Sequence, residues 1–151
     1  MRKEIKFLSD IYKNNLDNIV SKFKIIDNFE KYPERYISSV YLDTFDLSSL
    51  YHSYEGSTSR KKFRIRWYNN DLINKIFEIK EKNSSIISKQ KFLITDNKKI
   101  KLENINSLLD DLKKNNYFYS LVELNYLKPI LFINYKRNYF YNDKIRLTID
   151  T

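Results

Sequence analysis

The chain has 151 residues, with 28 Lys and Arg against 19 Asp and Glu and a formal charge of +9 at neutral pH, which favours an anionic partner. Its single glycine excludes glycine-rich phosphate loops, and the absence of cysteine together with one histidine excludes zinc ribbons, thiol nucleophiles, disulfide scaffolds and HExxH sites. The remaining chemistry must run on Lys, Arg, Asp, Glu, Tyr and Ser, within one domain whose 42% hydrophobic content suffices for a core.

Met1–Leu8 alternates, with Ile5 and Phe7 opposite Arg2, Glu4 and Lys6, and reads as a strand. Ser9 and Asp10 then offer N-caps to a helix carrying Ile11, Leu16, Ile19, Val20 and Phe23. Pro33 is expected in a loop before a strand over Tyr36–Asp43, with the Asp43-Thr44 turn ending that strand. A short helix over Leu47–Tyr54, closing near Gly56, is expected next. His52 within it reads as a structural or surface residue.

The sharpest pattern is Arg60–Tyr68, where Lys61, Phe63, Ile65 and Trp67 face one way and Arg60, Lys62, Arg64 and Arg66 the other. Lys75–Lys82 repeats it, with Phe77 and Ile79 opposite Glu78, Lys80 and Lys82. The following run sets Phe92 and Ile94 opposite Lys89 and Lys91. An amphipathic helix is predicted through Ile105, Leu108, Leu109 and Leu112, then strands over Pro129–Tyr141 and Ile145–Asp150. In the last, Ile145, Leu147 and Ile149 oppose Arg146, Thr148 and Asp150. Tyr135, Tyr139 and Tyr141 read as packing residues of the strand before it. The order predicts an antiparallel α+β sheet protein. No stretch approaches the roughly 18 apolar residues of a membrane span, and the N-terminus has no apolar signal core, so a cytoplasmic location is expected.

Nearly every strand carries a basic residue on its polar face. Two readings follow. Either the sheet has one solvated face of ordinary surface cations, or it closes into a barrel on whose axis Lys6, Arg64, Arg66, Lys80, Lys89, Arg137 and Arg146 converge. The second cluster would repel itself when empty and makes physical sense as a polyanion site.

The chain resembles the VTC-type polyphosphate polymerase domain, a member of the triphosphate tunnel metalloenzymes, also called CYTH-like proteins. The resemblance rests on R-K-E-I-K-F at Arg2–Phe7, S-V-Y-L-D-T at Ser39–Thr44, F-R-I-R-W-Y at Phe63–Tyr68 and F-E-I-K at Phe77–Lys80. It continues through K-Q-K-F at Lys89–Phe92, Y-K-R-N-Y-F at Tyr135–Phe140 and I-R-L-T-I-D at Ile145–Asp150. It implies an antiparallel β-barrel, the triphosphate tunnel, with flanking helices. It also implies transfer of the ATP γ-phosphate to a growing inorganic polyphosphate chain with Mn²⁺ or Mg²⁺.

By the same resemblance Arg64, Arg66 and Lys80 fall on catalytic positions, and Lys6, Lys89, Lys91, Arg137 and Arg146 on substrate-binding ones. Glu4 and Glu78 are candidate metal ligands, with an ion-pair role as the alternative for each. The first motif reads R-x-E-x-K rather than the E-x-E-x-K of triphosphatases and adenylate cyclases in the superfamily, which favours the polymerase branch. The family's domain continues through two further strands. The expectation is therefore a single domain over residues 1–151 lacking its last strands at the C-terminus, open at its sheet edges and so able to self-associate.

Alternatives are a triphosphate hydrolase on the same tunnel and a non-catalytic polyphosphate-binding module. Few aromatic partners share the basic faces, which argues against a nucleic-acid stacking platform. Since the arginines are read as mutually repelling, their removal is expected to hold or raise stability without ligand.

Overall fold

A computed structural model of the chain describes residues 30–95, 105–114 and 125–151, with Ile5, Lys6, Asn18 and Ser21 besides. Of the strand expected over Met1–Leu8 only Ile5 and Lys6 are described, both exposed. Of the helix expected after it only Asn18 and Ser21 are described, both helical; the rest of these two elements, Glu4 included, lies outside the described residues.

The elements in chain order are β1 (Glu30–Asp43), α1 (Ser48–Tyr54), β2 (Ser59–Tyr68), β3 (Asn74–Asn83), β4 (Ile86–Thr95), α2 (Ile105–Lys114), β5 (Lys128–Tyr141) and β6 (Arg146–Asp150). The strands form one six-stranded sheet in the order β4-β3-β2-β1-β5-β6. Pairing is antiparallel between β1 and β2, β2 and β3, β3 and β4, and β5 and β6. This is the expected α+β class. β4 and β6 are the edges of the described sheet, which is open and not closed into a barrel.

The chain divides into two compact units, Arg35–Lys136 and a second one made of Met1–Glu34 with Arg137–Thr151. In the first, side-chain alternation sends Val40, Ile65, Phe77 and Phe92 to one face, where they stand opposite one another in register across four strands. Leu42, Phe63 and Ile79 make the adjacent row. Helix α2 covers these rows: Ile105, Leu108, Leu109 and Leu112, spaced i, i+3, i+4, i+7, are all buried in the same cluster with Trp67 and Leu127. Phe63, Ile65 and Trp67 therefore face the core, and the opposite parity is left for the arginines.

Pro33 lies within β1 and not in a loop. The β1–β2 register begins only at Ile37, so the proline stands where no partner on β2 needs its missing N–H. The β2–β3 connection turns through Asn69 and Asn70, both at positive φ, a conformation that asparagine tolerates. Asp71 then accepts from the N–H groups of Ile73 and Asn74.

In the other unit, β5 and β6 form a hairpin closed by Asn142, whose side chain accepts from the N–H groups of Lys144 and Ile145. Tyr141 donates its hydroxyl to Glu30 and stacks on Tyr32 at 4.4 Å between ring centroids. That hydrogen bond, reinforced by Tyr32, raises the Tyr141 phenol above its ordinary pKa. No helix among the described residues is long and apolar enough to cross a membrane.

Candidate functional site

Opposite the core, the face of β2, β3 and β4 is ordered by register into rows. Tyr41, Arg64, Glu78 and Lys91 form one row; Lys62, Lys80 and Lys89 form the next; Ser39, Arg66, Ile76 and Leu93 form a third. Arg60 faces Lys82 beyond them. Neighbouring strands lie about 4.8 Å apart, so the Lys62–Lys80–Lys89 row sets like charges side by side, an arrangement that is destabilising by itself.

Glu78 is the carboxylate that β2, β3 and β4 contribute to this face. It is only 2% exposed and is shared by two cations: Arg64 Nε donates to Oε2, and Lys89 Nζ lies 2.9 Å from Oε1. Burial alone would raise its pKa, but the hydrogen bond from Lys89 and the charge and hydrogen bond of Arg64 outweigh that and hold the carboxyl below its ordinary range. Burial likewise works to lower the Arg64 pKa, yet Glu78 and the Tyr41 hydroxyl, 3.3 Å from Nη1, hold it above its usual value. The Arg64 guanidinium also sits over the Tyr41 ring at 6.0 Å.

Arg66 is different. It is 8% exposed, and its Nε donates to Ser39 Oγ at 3.0 Å. No carboxylate pairs with it among the described residues. A buried cation without a counter-charge is costly, and Ser39, its partner across the β1–β2 register, supplies only a neutral acceptor. Lys80 and Lys91 are exposed on the same face.

At the end of β1, the buried Asp43 carboxylate accepts from the N–H groups of Ser49 and Leu50 at 3.0 Å each and from that of Thr44 at 2.8 Å. It thereby caps α1, whose preceding residue Leu47 offers no side-chain cap. The Asp43-Thr44 turn does end its strand. From α1, Ser53 Oγ receives Lys62 Nζ at 2.7 Å, so the short helix orients one end of the lysine row. His52 is exposed.

The structure thus brings Arg64, Arg66, Lys80, Lys89, Lys91 and Glu78 onto one face. Arg137 and Arg146 belong to the other unit. There Arg137 forms a two-pronged pair with Asp150, Nε to Oδ1 at 2.5 Å and Nη2 to Oδ2 at 2.6 Å. Arg146 stands opposite Tyr141 in the hairpin. Lys6 is exposed, and Glu4 lies outside the described residues.

Glu78 makes ion pairs with both of its oxygens, and no group of three or more His, Asp or Glu stands together among the described residues. As they stand, the described residues present no preformed metal site. The Arg64–Glu78 pair changes one part of the expectation for the arginines: removing Arg64 would strip a partner from a buried carboxylate, so for this residue a loss of stability without ligand is expected. Ser39, Tyr41 and Lys62 were missed as members of the site. Their signal is present in the alternation of Ser39 and Tyr41 against Val40 and Leu42, and of Lys62 against Phe63.

A family model described as the VTC domain matches residues 1–151. No curated protein matches the chain. Among solved structures, one from Vibrio parahaemolyticus described as a "putative adenylate cyclase" shares the fold with a TM-score of 0.52 at 15% identity. The similarity covers 90% of this chain and 62% of that one, so the chain spans under two thirds of its neighbour's length.

Proposed function

Because the chain belongs to the VTC domain family, we propose that its basic sheet face binds a chain of phosphates and serves an ATP-dependent polyphosphate polymerase. In that reaction the bond between the γ-phosphorus of ATP and its β,γ-bridging oxygen breaks. A terminal oxygen of polyphosphate takes the γ-phosphoryl group, and ADP leaves. Such transfer needs positioning and charge neutralisation more than a covalent nucleophile. Rows of cations on rigid strands are suited to both, with arginine gripping two phosphate oxygens and lysine acting as a point charge.

The observation that carries this reading is Arg66, a buried guanidinium with no carboxylate partner among the described residues. A phosphate would supply the missing counter-charge. Mn²⁺ or Mg²⁺ is part of the proposal as a companion of the phosphates, arriving with the nucleotide as its complex. Cytoplasmic ATP would be the donor.

Two measurements test the proposal. Arg66→Gln should weaken tripolyphosphate binding in calorimetric titration by about ten- to a hundredfold, the worth of one charge-assisted bond at roughly 1.5–3 kcal/mol. A solvated cation would give a small loss that salt abolishes. Incubation with ATP and Mn²⁺ should yield polymer. Release of phosphate alone would indicate a triphosphate hydrolase, and binding without turnover a polyphosphate-binding module.

A further inference from the structure

The face carries cations of two kinds. Arg64 and Lys89 hold a carboxylate between them, whereas Arg66 and Lys80 have no ion pair among the described residues. Glu78 is fixed on β3, flanked by β2 and β4, and is 2% exposed, so it cannot swing away when an anion arrives. Any phosphate that engages Arg64 or Lys89 must share them with a charge the fold keeps in place.

We propose that Glu78 is a built-in counter-anion that competes with phosphate for Arg64 and Lys89, so that affinity is set first by Arg66 and Lys80. This rests on the reading of the face as a phosphate site and adds a restraint to it. A linear polyanion gripped by every cation in three rows would leave slowly, because residence time follows the strength of the grip. A fixed carboxylate at the middle of the face weakens that grip without removing a single cation. It also relieves the repulsion in the Lys62–Lys80–Lys89 row while no ligand is bound, by pairing with one end of it.

The test is calorimetric titration of tripolyphosphate, at two salt concentrations, into the wild type, Lys80→Gln, Lys89→Gln, Glu78→Gln and the double variant of the last two. Lys80→Gln should weaken binding about tenfold and Lys89→Gln only about threefold. With Glu78→Gln already present, the Lys89 change should cost about tenfold. Glu78→Gln alone should bind more tightly than the wild type, with a steeper dependence on salt because the face carries one more net positive charge and Arg64 and Lys89 are both released to the ligand. A purely structural role for Glu78 would not steepen that dependence.

Should Glu78→Gln fail to fold, the comparison of Lys80→Gln with Lys89→Gln decides by itself, since both side chains are exposed. Equal losses from the two lysine variants would overturn the inference and leave the phosphate site standing. So would a folded Glu78→Gln protein that binds no more tightly, with wild-type salt dependence. A wild type that does not bind tripolyphosphate at all would overturn both.

Discussion

Glu78 shows how one side chain ties the stability of this sheet to pH. Its folded pKa lies below the ordinary carboxylate value because Lys89 and Arg64 together outweigh the effect of burial. A group depressed in this way contributes stability that is fully present above its unfolded value, near 4.3, and is lost as pH falls through the lower folded value. The folded state then binds fewer protons than the unfolded one, so stability rises with pH across that window. Thermal melts between about pH 6 and pH 3 should show the wild type losing stability with acid more steeply than Glu78→Gln, which has no proton to take up. Parallel curves would mean that the two ion pairs contribute nothing. An ion-pair role was legible for Glu78, since it shares strand parity with Lys80. That one carboxylate serves Arg64 and Lys89 at once was not, because neither register nor burial is written in a single strand.

At the scale of elements, α1 depends on a residue outside itself. Seven residues are too few for a stable helix in water, and Leu47 at its start is in the left-handed region with no side-chain cap. The Asp43 carboxylate supplies the missing acceptors at two N–H groups of the first turn. Asp43→Ala should lower stability by about 1–2 kcal/mol, read as a fall in Tm of roughly 2–4 °C per kcal/mol for a chain of this size. A Tm within experimental error of the wild type would show that α1 holds without the cap. Helix α2 was plain from its spacing of four apolar residues, and β2 from strict alternation. Pro33 misled because proline usually marks a loop; the strand tolerates it where the β1–β2 register has not yet begun.

At the scale of the whole molecule, a charge of +9 and the cross-strand row of lysines predict a fold that an anion stabilises. Ligand bound only to the native state at a hundred times its Kd adds about 2.7 kcal/mol, so tripolyphosphate at low salt should raise the Tm by roughly 5–10 °C. An unmoved Tm would count against a polyanion site anywhere on the protein. By itself the sequence determined the antiparallel α+β class, the core residues of β2, β3 and α2, and the parity that sends Arg64, Arg66, Lys80 and Lys89 away from Phe63, Ile65 and Phe77. These follow from periods of two and of 3.6, which are local properties of the chain. Only the tertiary structure decided which cations are neutralised. Arg64 and Arg66 have the same residue type, strand and parity, yet among the described residues one meets Glu78 and the other only Ser39. The difference is made by the neighbours that strand pairing brings alongside, and pairing is a relation between distant segments that no local period encodes.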